Sequence, residues 1–490
     1  MLHSNQHPCL RRPRRCAESF APAAPLAAAL LQIRRMSNPH EPAFPSAQTN
    51  PAEPFIRARL GTMMFLQYAI WGAWLPLLFP FMLGHRGMPI GEVVNILAAG
   101  AAGALFGPFI AGQLSDRKFN TERVLAVSHL AGAALIWFLG SLTGYGNLML
   151  FAFAYSLVYS PTLSLTNSLA LTHLPNRDRD FSFVRMFGTL GWICAGIGIG
   201  QWLLYQHSPA ALSGDALQSA QQAGMADAFR ISAVLGVIMG IYCLFLPATP
   251  PTRQGNNAAI KAVGAVKHQP LLTLFLIAVP ISCVHQFYFV HTAGFLSNYQ
   301  TKAEGTISAI NSIFGVGGGG LMTIGQMSEI LVLALIPALS RIFSRKALLA
   351  IGLAAYALRM AIFAYAEQLV GAESSLLLPL LISGIALHGL CFGCFIFVAF
   401  LVIDENTGKD IRASAQSLFG LVVFGIGIIV GSYIAGLVGT AATIPGTGVD
   451  GVPTKFNFTL LFSYPMYGAL ACLALLLLMY PSRKTNPAFA

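Results

Sequence analysis

A glutamate lies inside a long apolar run of this sequence. Residues 324–330 read IGQMSEI, and Gln326 and Glu329 are three positions apart, which places both on one face of a helix. An ionised glutamate near the centre of a membrane helix costs about 2.5–3.5 kcal/mol on insertion scales. If this run spans a membrane, that cost indicates a function for Glu329.

Other apolar runs carry polar and aromatic residues at helical spacing. Arg185, Thr189 and Trp192 follow at i, i+4 and i+7, so one face offers a charge, a hydroxyl and a ring. His388 and Phe392 share a face in the same way. Such groups can supply a charge, hydrogen bonds and aromatic faces to a bound small molecule.

Each of these residues also has a structural interpretation. Arg185 could extend to the membrane interface, and Thr189 could bond within its own helix. The glutamines could bond between helices, and the aromatic side chains could simply pack. Arg359, deep in an apolar run, is expected to pair with a carboxylate or with helix ends as scaffold.

Composition indicates a membrane protein with many spans. Of its 490 residues, 55% are hydrophobic and only 10% are charged, and the mean hydropathy is +0.66. A soluble chain would carry about 25% charged residues. The apolar runs are too long and too numerous for soluble cores.

Stretches of about 20 apolar residues, the length that crosses a bilayer, occur twelve times. They predict spans 1 to 12, in chain order, at 60–83, 90–114, 124–143, 148–173, 182–206, 228–248, 270–296, 318–340, 347–368, 376–403, 413–440 and 459–481.

The predicted spans form two sets of six. Residues 56–248 are predicted to form an N-terminal bundle and residues 270–481 a C-terminal bundle. The polar segment 249–269 is predicted to be the linker between them, and 482–490 a short tail. The predicted fold is an all-α membrane protein with twelve transmembrane helices in two six-helix halves.

Lysine and arginine are unequally divided between the two sets of loops. Loops on the side of the linker carry most of them, whereas the opposite loops hold little beyond Arg86, Lys302 and Lys455. Because basic loops stay in the cytoplasm, both termini and the linker are predicted to be cytoplasmic, in the cell (inner) membrane. The same asymmetry accounts for much of the net charge of +11, so no nucleic-acid partner is predicted.

The first 55 residues differ in kind from the rest. A basic RRPRR is followed by an alanine- and proline-rich run that is too short to span a membrane. We expect residues 1–55 to be a disordered extension, with Met36 as an alternative start.

Two short motifs have simple structural interpretations. Cys391 and Cys394 form a C-x-x-C motif without the companions of a metal site, and no metal or cofactor is predicted. The run GVGGGG at 315–320 lacks the Lys-Ser/Thr of a phosphate loop. It is predicted to be a flexible lead-in to span 8.

One loop resembles a superfamily signature. GQLSDRKF (112–119), between spans 2 and 3, resembles the loop motif of the major facilitator superfamily, and ALSRIFSRK (338–346) is a weaker copy in the second half. Two such copies suit a transporter built from repeats.

Five further strings together resemble the nucleoside:proton symporter family of that superfamily. They are LQYAIWGAWLP (66–76), RMFGTLGW (185–192), GQMSE (325–329), LRMAIFAYA (358–366) and IRASAQSLF (411–419). The resemblance extends from residue 60 to residue 480. It implies the major facilitator fold and proton-coupled uptake of nucleosides by alternating access.

The resemblance also implies a substrate cavity. Its lining residues are expected to be Arg185, Thr189, Trp192, Gln286, Gln326, Glu329, His388 and Phe392. The partners implied are a small-molecule nucleoside, protons and the lipid bilayer. No statement about the oligomeric state follows.

The sequence departs from the family pattern inside this cavity. His388 and Gly393 stand where the family has tyrosine and aspartate, and Phe289 and Trp192 stand where it has asparagine and phenylalanine. The lost carboxylate and amide leave the choice of substrate open, including a modified nucleoside or a small sugar conjugate.

Glu329 is predicted to be the proton-coupling carboxylate. Asp404 and Glu405 fall at a helix end and Glu367 near the opposite membrane face, so Glu329 is the carboxylate expected inside the second-half cavity. His388 is its rival as proton carrier.

Functions of other classes remain open at this stage. One alternative is a sugar or oligosaccharide:proton symporter of the same fold, and a less favoured one is a transporter-like membrane sensor. A membrane enzyme is disfavoured because the sequence shows no Ser/His/Asp set, metal cluster or cofactor loop.

Overall fold

All twelve predicted spans form helices in a computed structural model of the chain. It describes residues 55–117, 119–175, 177–250, 264–301, 305–408, 412–445, 448–449, 452–453 and 455–481. The predicted extension before residue 55, the linker residues 251–263 and the tail from residue 482 lie outside the described residues.

The helices lie close to their predicted positions. In chain order, spans 1 to 12 are Ile56–His85, Ile90–Arg117, Thr121–Leu139, Tyr145–His173, Arg177–Gln206, Ala226–Cys243, Leu271–Gln300, Gly319–Ile342, Arg345–Val370, Leu377–Glu405, 412–441 and Phe458–Met479.

Length and apolar composition qualify these helices as membrane spans. Over the described residues, eleven are long and apolar enough to cross a membrane, and span 2 is a helix of 28 residues. A continuous helix bonds its own backbone groups, which is why such apolar segments can cross lipid. The predicted fold class is confirmed.

Three spans depart from regular α-helix. Span 1 contains the 3-10 turn Leu75–Leu77 and the π-helical segment Phe81–His85. Span 10 is π-helical over Cys391–Phe397, and span 11 over Val422–Ile426. Such π segments occur often at functional sites. In span 10 the segment follows His388–Leu390 directly, so Phe392, which lies within it, is displaced from α-helical register relative to His388.

The ends of the spans have local causes. Ser344 and Asn457 cap spans 9 and 12, accepting hydrogen bonds from the backbone N–H groups of Ala347 and Leu460. Span 6 ends at Cys243, five residues before its predicted end at 248, and continues as turns towards Pro247. Proline lacks the N–H that another helical bond would need.

Three smaller elements lie in the loops between spans. The helix Gly214–Gly224 precedes span 6 and the helix Gly305–Phe314 precedes span 8. Between spans 11 and 12, β1 (Gly448–Val449) pairs antiparallel with β2 (Val452–Pro453). We call the side of the bundle that holds these elements the distal side. The opposite side, where span 1 begins and span 6 ends, is the terminal side.

The two halves pack together mainly through spans 5 and 8 and through spans 2 and 11. The distal ends of these helices approach very closely. A methyl group on Gly436 would lie 2.4 Å from Cγ2 of Val94, and one on Gly196 would lie 2.7 Å from Cγ2 of Thr323. Gly436 lies in span 11 and Val94 in span 2, and Gly196 lies in span 5 and Thr323 in span 8. Each pair therefore joins the two halves. The bundle is therefore closed on its distal side.

The glycine segment, residues 315–320, completes this closure. Val316 donates its backbone N–H to the carbonyl oxygen of Gly200 in span 5, at 3.0 Å. Gln300, at the end of span 7, donates to the carbonyl of Gly315 and accepts from the N–H of Gly318, both at 2.8 Å. The prediction of a flexible lead-in to span 8 is wrong, because these bonds fix the segment against both neighbouring helices.

Candidate functional site

Glu329 of span 8 faces His388 of span 10 near the middle of both helices. Oε2 of the glutamate lies 3.9 Å from Nε2 of the histidine, and the two side chains are 13% and 2% exposed. This separation is too long for a direct hydrogen bond. Two of the predicted site residues are thus adjacent in the second half.

Arg359 of span 9 lies behind His388. One terminal guanidinium nitrogen is 3.0 Å from Nδ1 of His388, and the side chain is fully buried. The guanidinium covers the rings of Tyr288 and Tyr356 at 4.1 and 5.1 Å. Arginine stacks well on aromatic faces because its planar charge is weakly hydrated.

The expected partner of Arg359 was a carboxylate or a helix end, and this prediction is wrong. Its hydrogen-bond partner is the His388 ring. Within the described part of the chain, Nε and the other terminal nitrogen have no hydrogen-bond acceptor. The aromatic rings therefore supply much of the environment of this cation.

A group of rings encloses His388 and reaches the first half. The ring stacks on Tyr288 with centroids 5.3 Å apart and contacts His285 at 5.5 Å and Phe289 at 6.2 Å. Phe289 in turn meets Trp192 of span 5 at 6.2 Å. These contacts bring Trp192 and His388, both predicted site residues, into one cluster that spans the two halves.

Arg185 of span 5 points into the bundle. Its guanidinium covers the ring of Tyr68 in span 1 at 4.1 Å, and it attracts the Glu329 carboxylate. This position does not fit a side chain that extends to the membrane interface. Arg185 thus brings a positive charge from the first half that acts on Glu329 of the second half.

The two predicted glutamines have different surroundings. Gln286 of span 7 donates to the hydroxyl of Ser432 in span 11 at 3.1 Å, which is the bond between helices that the structural interpretation expected. Gln326 is 6% exposed, and its Oε1 has no hydrogen-bond partner among the described residues. Gln326 therefore has acceptor capacity that a solute could use.

Thr189 and Phe392 lie nearby but outside the ring cluster. Thr189 is half-buried, one helical turn beyond Arg185. Phe392 is half-buried in the π-helical part of span 10 and packs on the core. Neither makes a contact that assigns it to the site.

A serine joins spans 8 and 10 beside the site. The Ser328 hydroxyl accepts from the N–H of Gly389 at 2.9 Å and donates to the carbonyl of Ala386 at 2.6 Å. Both groups flank His388 in the chain. The backbone on both sides of His388 is therefore tied to span 8 by a hydroxyl next to that glutamate.

The positions that depart from the family pattern are filled by apolar packing. Phe289 lies between Trp192 and His388 in the ring cluster. At Gly393, an added methyl group would come within 2.6 Å of Cγ1 of Val332 in span 8. There is no room for a carboxylate at this point of the present structure.

Several residues of the site were not found by sequence reasoning. Tyr68 and Tyr288 hold the two arginines, and nothing in their local sequence marks them. In the first half, buried Gln67 donates to Thr162 at 2.8 Å and contacts Nε2 of His129 at 2.9 Å through its Oε1. The only local signal was a polar residue inside an apolar run, which does not identify a partner on another helix.

No group of three His, Cys, Asp or Glu residues in the described ranges could hold a metal ion. Cys391 and Cys394 are buried free thiols.

Comparison with known proteins gives consistent matches. The putative nucleoside transporter YegT of Escherichia coli (strain K12) is 30% identical over 389 residues, which cover 78% of this chain and 84% of that protein. The xanthosine permease of the same organism is 26% identical over 418 residues, covering 83% and 92%. The crystal structure of the nucleoside transporter NupG matches with a TM-score of 0.69 and 23% identity, covering 86% of this chain and 98% of the other.

The structural match supports the same fold, that of the major facilitator transporters. The sequence profile of the nucleoside H+ symporter family matches residues 55–485 and so includes all twelve spans. The protein is therefore a multi-pass membrane transporter and not an enzyme, and it belongs to the nucleoside H+ symporter family.

Proposed function

We propose that this protein imports nucleosides together with protons, by alternating access between its two halves, and that Glu329 couples the two. The supporting observation is that Glu329 lies mid-span between groups from both halves. Arg185 of the first half attracts it, and His388 of the second half lies 3.9 Å away. One carboxylate can thus respond to a proton, to a solute and to the relative position of the halves.

The proposed orientation places the terminal side in the cytoplasm of a cell with the protein in its inner membrane. Basic residues are concentrated on that side, as the charge rule for cytoplasmic loops requires. Those described on the terminal side are Arg57, Arg59, Arg117, Arg123, Arg177, Arg179, Lys267, Arg341, Arg345, Lys346 and Arg412, against Arg86, Arg230 and Lys455 on the distal side.

With this orientation, the distal closure is an outer gate in its closed state. The glycine segment and the close glycine contacts of spans 5 and 11 block access from outside. A solute at Glu329 would then exchange with the cytoplasm. Outward opening requires the halves to separate at these contacts.

The polar groups around Glu329 suit a nucleoside. The carboxylate and Oε1 of Gln326 can accept from ribose hydroxyls, and Nε2–H of His388 can donate to a base or sugar oxygen. Trp192, Phe392 and Thr189 are proposed to complete the cavity, with an aromatic face for the base. Gln286 is proposed to contribute through its carbonyl oxygen and its second N–H, since one N–H donates to Ser432.

Protonation of Glu329 would change both its charge and its hydrogen bonding. The neutral acid can donate one hydrogen bond, whereas the carboxylate only accepts and attracts Arg185. Because Arg185 belongs to the other half, that attraction favours arrangements in which the two halves are close at this depth. A proton thus changes the relative free energies of the two states, which coupling requires.

The test uses purified protein in proteoliposomes with an imposed pH gradient, acidic outside. Glu329→Gln keeps the shape of the side chain but cannot titrate, so it should abolish accumulation of nucleoside against its gradient. Counterflow exchange of radiolabelled nucleoside should remain measurable. The matched control is Glu367→Gln on the distal side, since glutamine can still accept the hydrogen bond from the Tyr299 hydroxyl.

Two outcomes would contradict the proposal. Accumulation by the Glu329→Gln variant under the same gradient would exclude Glu329 as the coupling group. Absence of counterflow in the unaltered protein with uridine, adenosine and xanthosine, but transport of simple sugars, would favour the sugar symporter instead.

A further inference from the structure

The hydrogen bond from Arg359 determines the tautomer of His388. A guanidinium has only donors, so Nδ1 of His388 must accept at the observed 3.0 Å. An accepting Nδ1 carries no hydrogen. The neutral ring therefore carries its hydrogen on Nε2, the nitrogen that faces the Glu329 carboxylate at 3.9 Å.

The surroundings of the ring make this arrangement rigid. His388 is 2% exposed, stacks on Tyr288 and contacts His285 of span 7. The Cβ of His388 would be only 2.9 Å from a methyl group on Gly325, so span 8 also confines it. Contacts from spans 7 and 8 therefore confine the ring.

The titratable and charged groups around His388 are few and can be named. Span 9 contributes Arg359 and Tyr356, span 7 contributes His285 and Tyr288, span 8 contributes Glu329, and span 10 itself contributes Cys391. His285 is engaged with the Tyr356 hydroxyl at 2.8 Å. A second proton on His388 would have to replace the Arg359 bond and would place two cations in contact.

We infer that Arg359 is a positioning residue, which holds His388 as a fixed neutral hydrogen-bond donor towards Glu329 and the substrate cavity. His388 is then a specificity-determining group and not a proton carrier. The inference rests on the proposed function and deepens it. It adds that the favoured substrate presents a hydrogen-bond acceptor, such as a base carbonyl or ring nitrogen, beside the protonated Glu329.

Glutamine at position 388 reproduces this donor and acceptor arrangement without a titratable group. Its oxygen can accept from Arg359 while its amide nitrogen donates towards Glu329. His388→Gln should therefore bind nucleoside within about threefold of the unaltered protein and show the same dependence of uptake on pH. His388→Leu has neither group and should lose about 2- to 10-fold in affinity, the effect of one neutral hydrogen bond.

Removal of the arginine should release the histidine. In Arg359→Met, Nδ1 of His388 has lost its donor and can bind a proton, so uptake should gain an additional dependence on acidic pH. That added limb should vanish in the double variant Arg359→Met/His388→Gln. A merely structural arginine would lower activity at every pH and leave the shape of the profile unchanged.

The measurements are binding of radiolabelled uridine, adenosine and xanthosine to purified protein, and initial uptake rates in proteoliposomes across pH. Arg230→Met is the matched control, because it removes an exposed arginine that is paired within span 6. If Arg359→Met does not fold, the comparison of His388→Gln with His388→Leu still decides.

Three results would overturn the inference. They are a changed pH profile in His388→Gln, affinity in His388→Leu equal to that in His388→Gln, or an unchanged profile in a folded Arg359→Met variant. Failure of the proposed coupling can be distinguished from failure of this inference. Accumulation of nucleoside by Glu329→Gln would contradict only the coupling role of Glu329. The comparison of nucleoside binding by His388→Gln and His388→Leu would still test the role of His388.

Discussion

Replacement of Gly315 by alanine should open the distal side. A methyl group at this position would lie 1.9 Å from the carbonyl carbon of Gly200, on the other half of the protein. The backbone there has φ +71°, which non-glycine residues adopt at a cost of about 1–2 kcal/mol. The contact cannot be relieved by a rotamer, because both partners are backbone.

The size of the effect follows from what the closed state loses. The halves must separate locally, which breaks the bond from Val316 N–H to Gly200, now 3.0 Å long. One such bond contributes about 0.5–1.5 kcal/mol net. We therefore expect the closed state to be weakened by about 1–3 kcal/mol, which shifts the population towards the outward-open state about 5- to 150-fold.

A cysteine at Thr323 would report this shift. Thr323 is 1% exposed and lies under the distal closure, against Gly196 of span 5. In a background with Cys9, Cys16 and Cys194 replaced by alanine, labelling of Thr323→Cys by a hydrophilic maleimide should be about 5- to 150-fold faster when Gly315→Ala is present.

Gly305 offers a matched control. It also has a positive φ, +52°, but a methyl group there meets nothing within 4 Å. Gly305→Ala should leave the labelling rate unchanged, since its strain does not act between the halves. Equal rates in the Gly315→Ala and unaltered proteins, or an equal increase in Gly305→Ala, would refute the gate argument.

Two further predictions concern the site. Gln326→Leu removes a buried oxygen that has no hydrogen-bond partner among the described residues, so it should raise the melting temperature of the substrate-free protein. It should also lower nucleoside affinity about 2- to 10-fold. A lower melting temperature with unchanged affinity would show that Gln326 is purely structural. Gly393→Asp should abolish uptake, because its Cβ would lie 2.6 Å from Cγ1 of Val332. The double variant Gly393→Asp/Val332→Ala should restore uptake, with an altered order of preference among uridine, adenosine and xanthosine. Restored uptake with an unchanged order of preference would exclude position 393 from specificity.

The sequence predicted the spans well because lipid imposes a simple rule. A run of about 20 apolar residues has to be a helix in a bilayer, so length and hydropathy suffice. The cost of a membrane carboxylate likewise marked Glu329, and helical spacing grouped Gln326 with it.

Pairing between helices was outside the reach of that reasoning. Arg359 and His388 are 29 positions apart, and their bond depends on how spans 9 and 10 pack. The glycine segment was misread for a similar reason. Its glycine-rich composition predicts a flexible backbone. In the folded bundle, however, Gln300 and Gly200 lie close enough to form hydrogen bonds with it. The local sequence shows which interactions a residue is able to make. Which of them it makes depends on the residues that helix packing brings next to it.

The Ser328 bridge has a consequence for how transport energy can be lost. By bonding the backbone on both sides of His388 from the residue next to Glu329, it ties both groups to the same half of the protein. Arg185 lies in the other half, so under the proposed alternating access its distance to Glu329 is expected to change. A proton that leaves without solute is a leak. If Glu329 carries the coupled proton as proposed, we expect the approach of Arg185 from span 5 to control that leak.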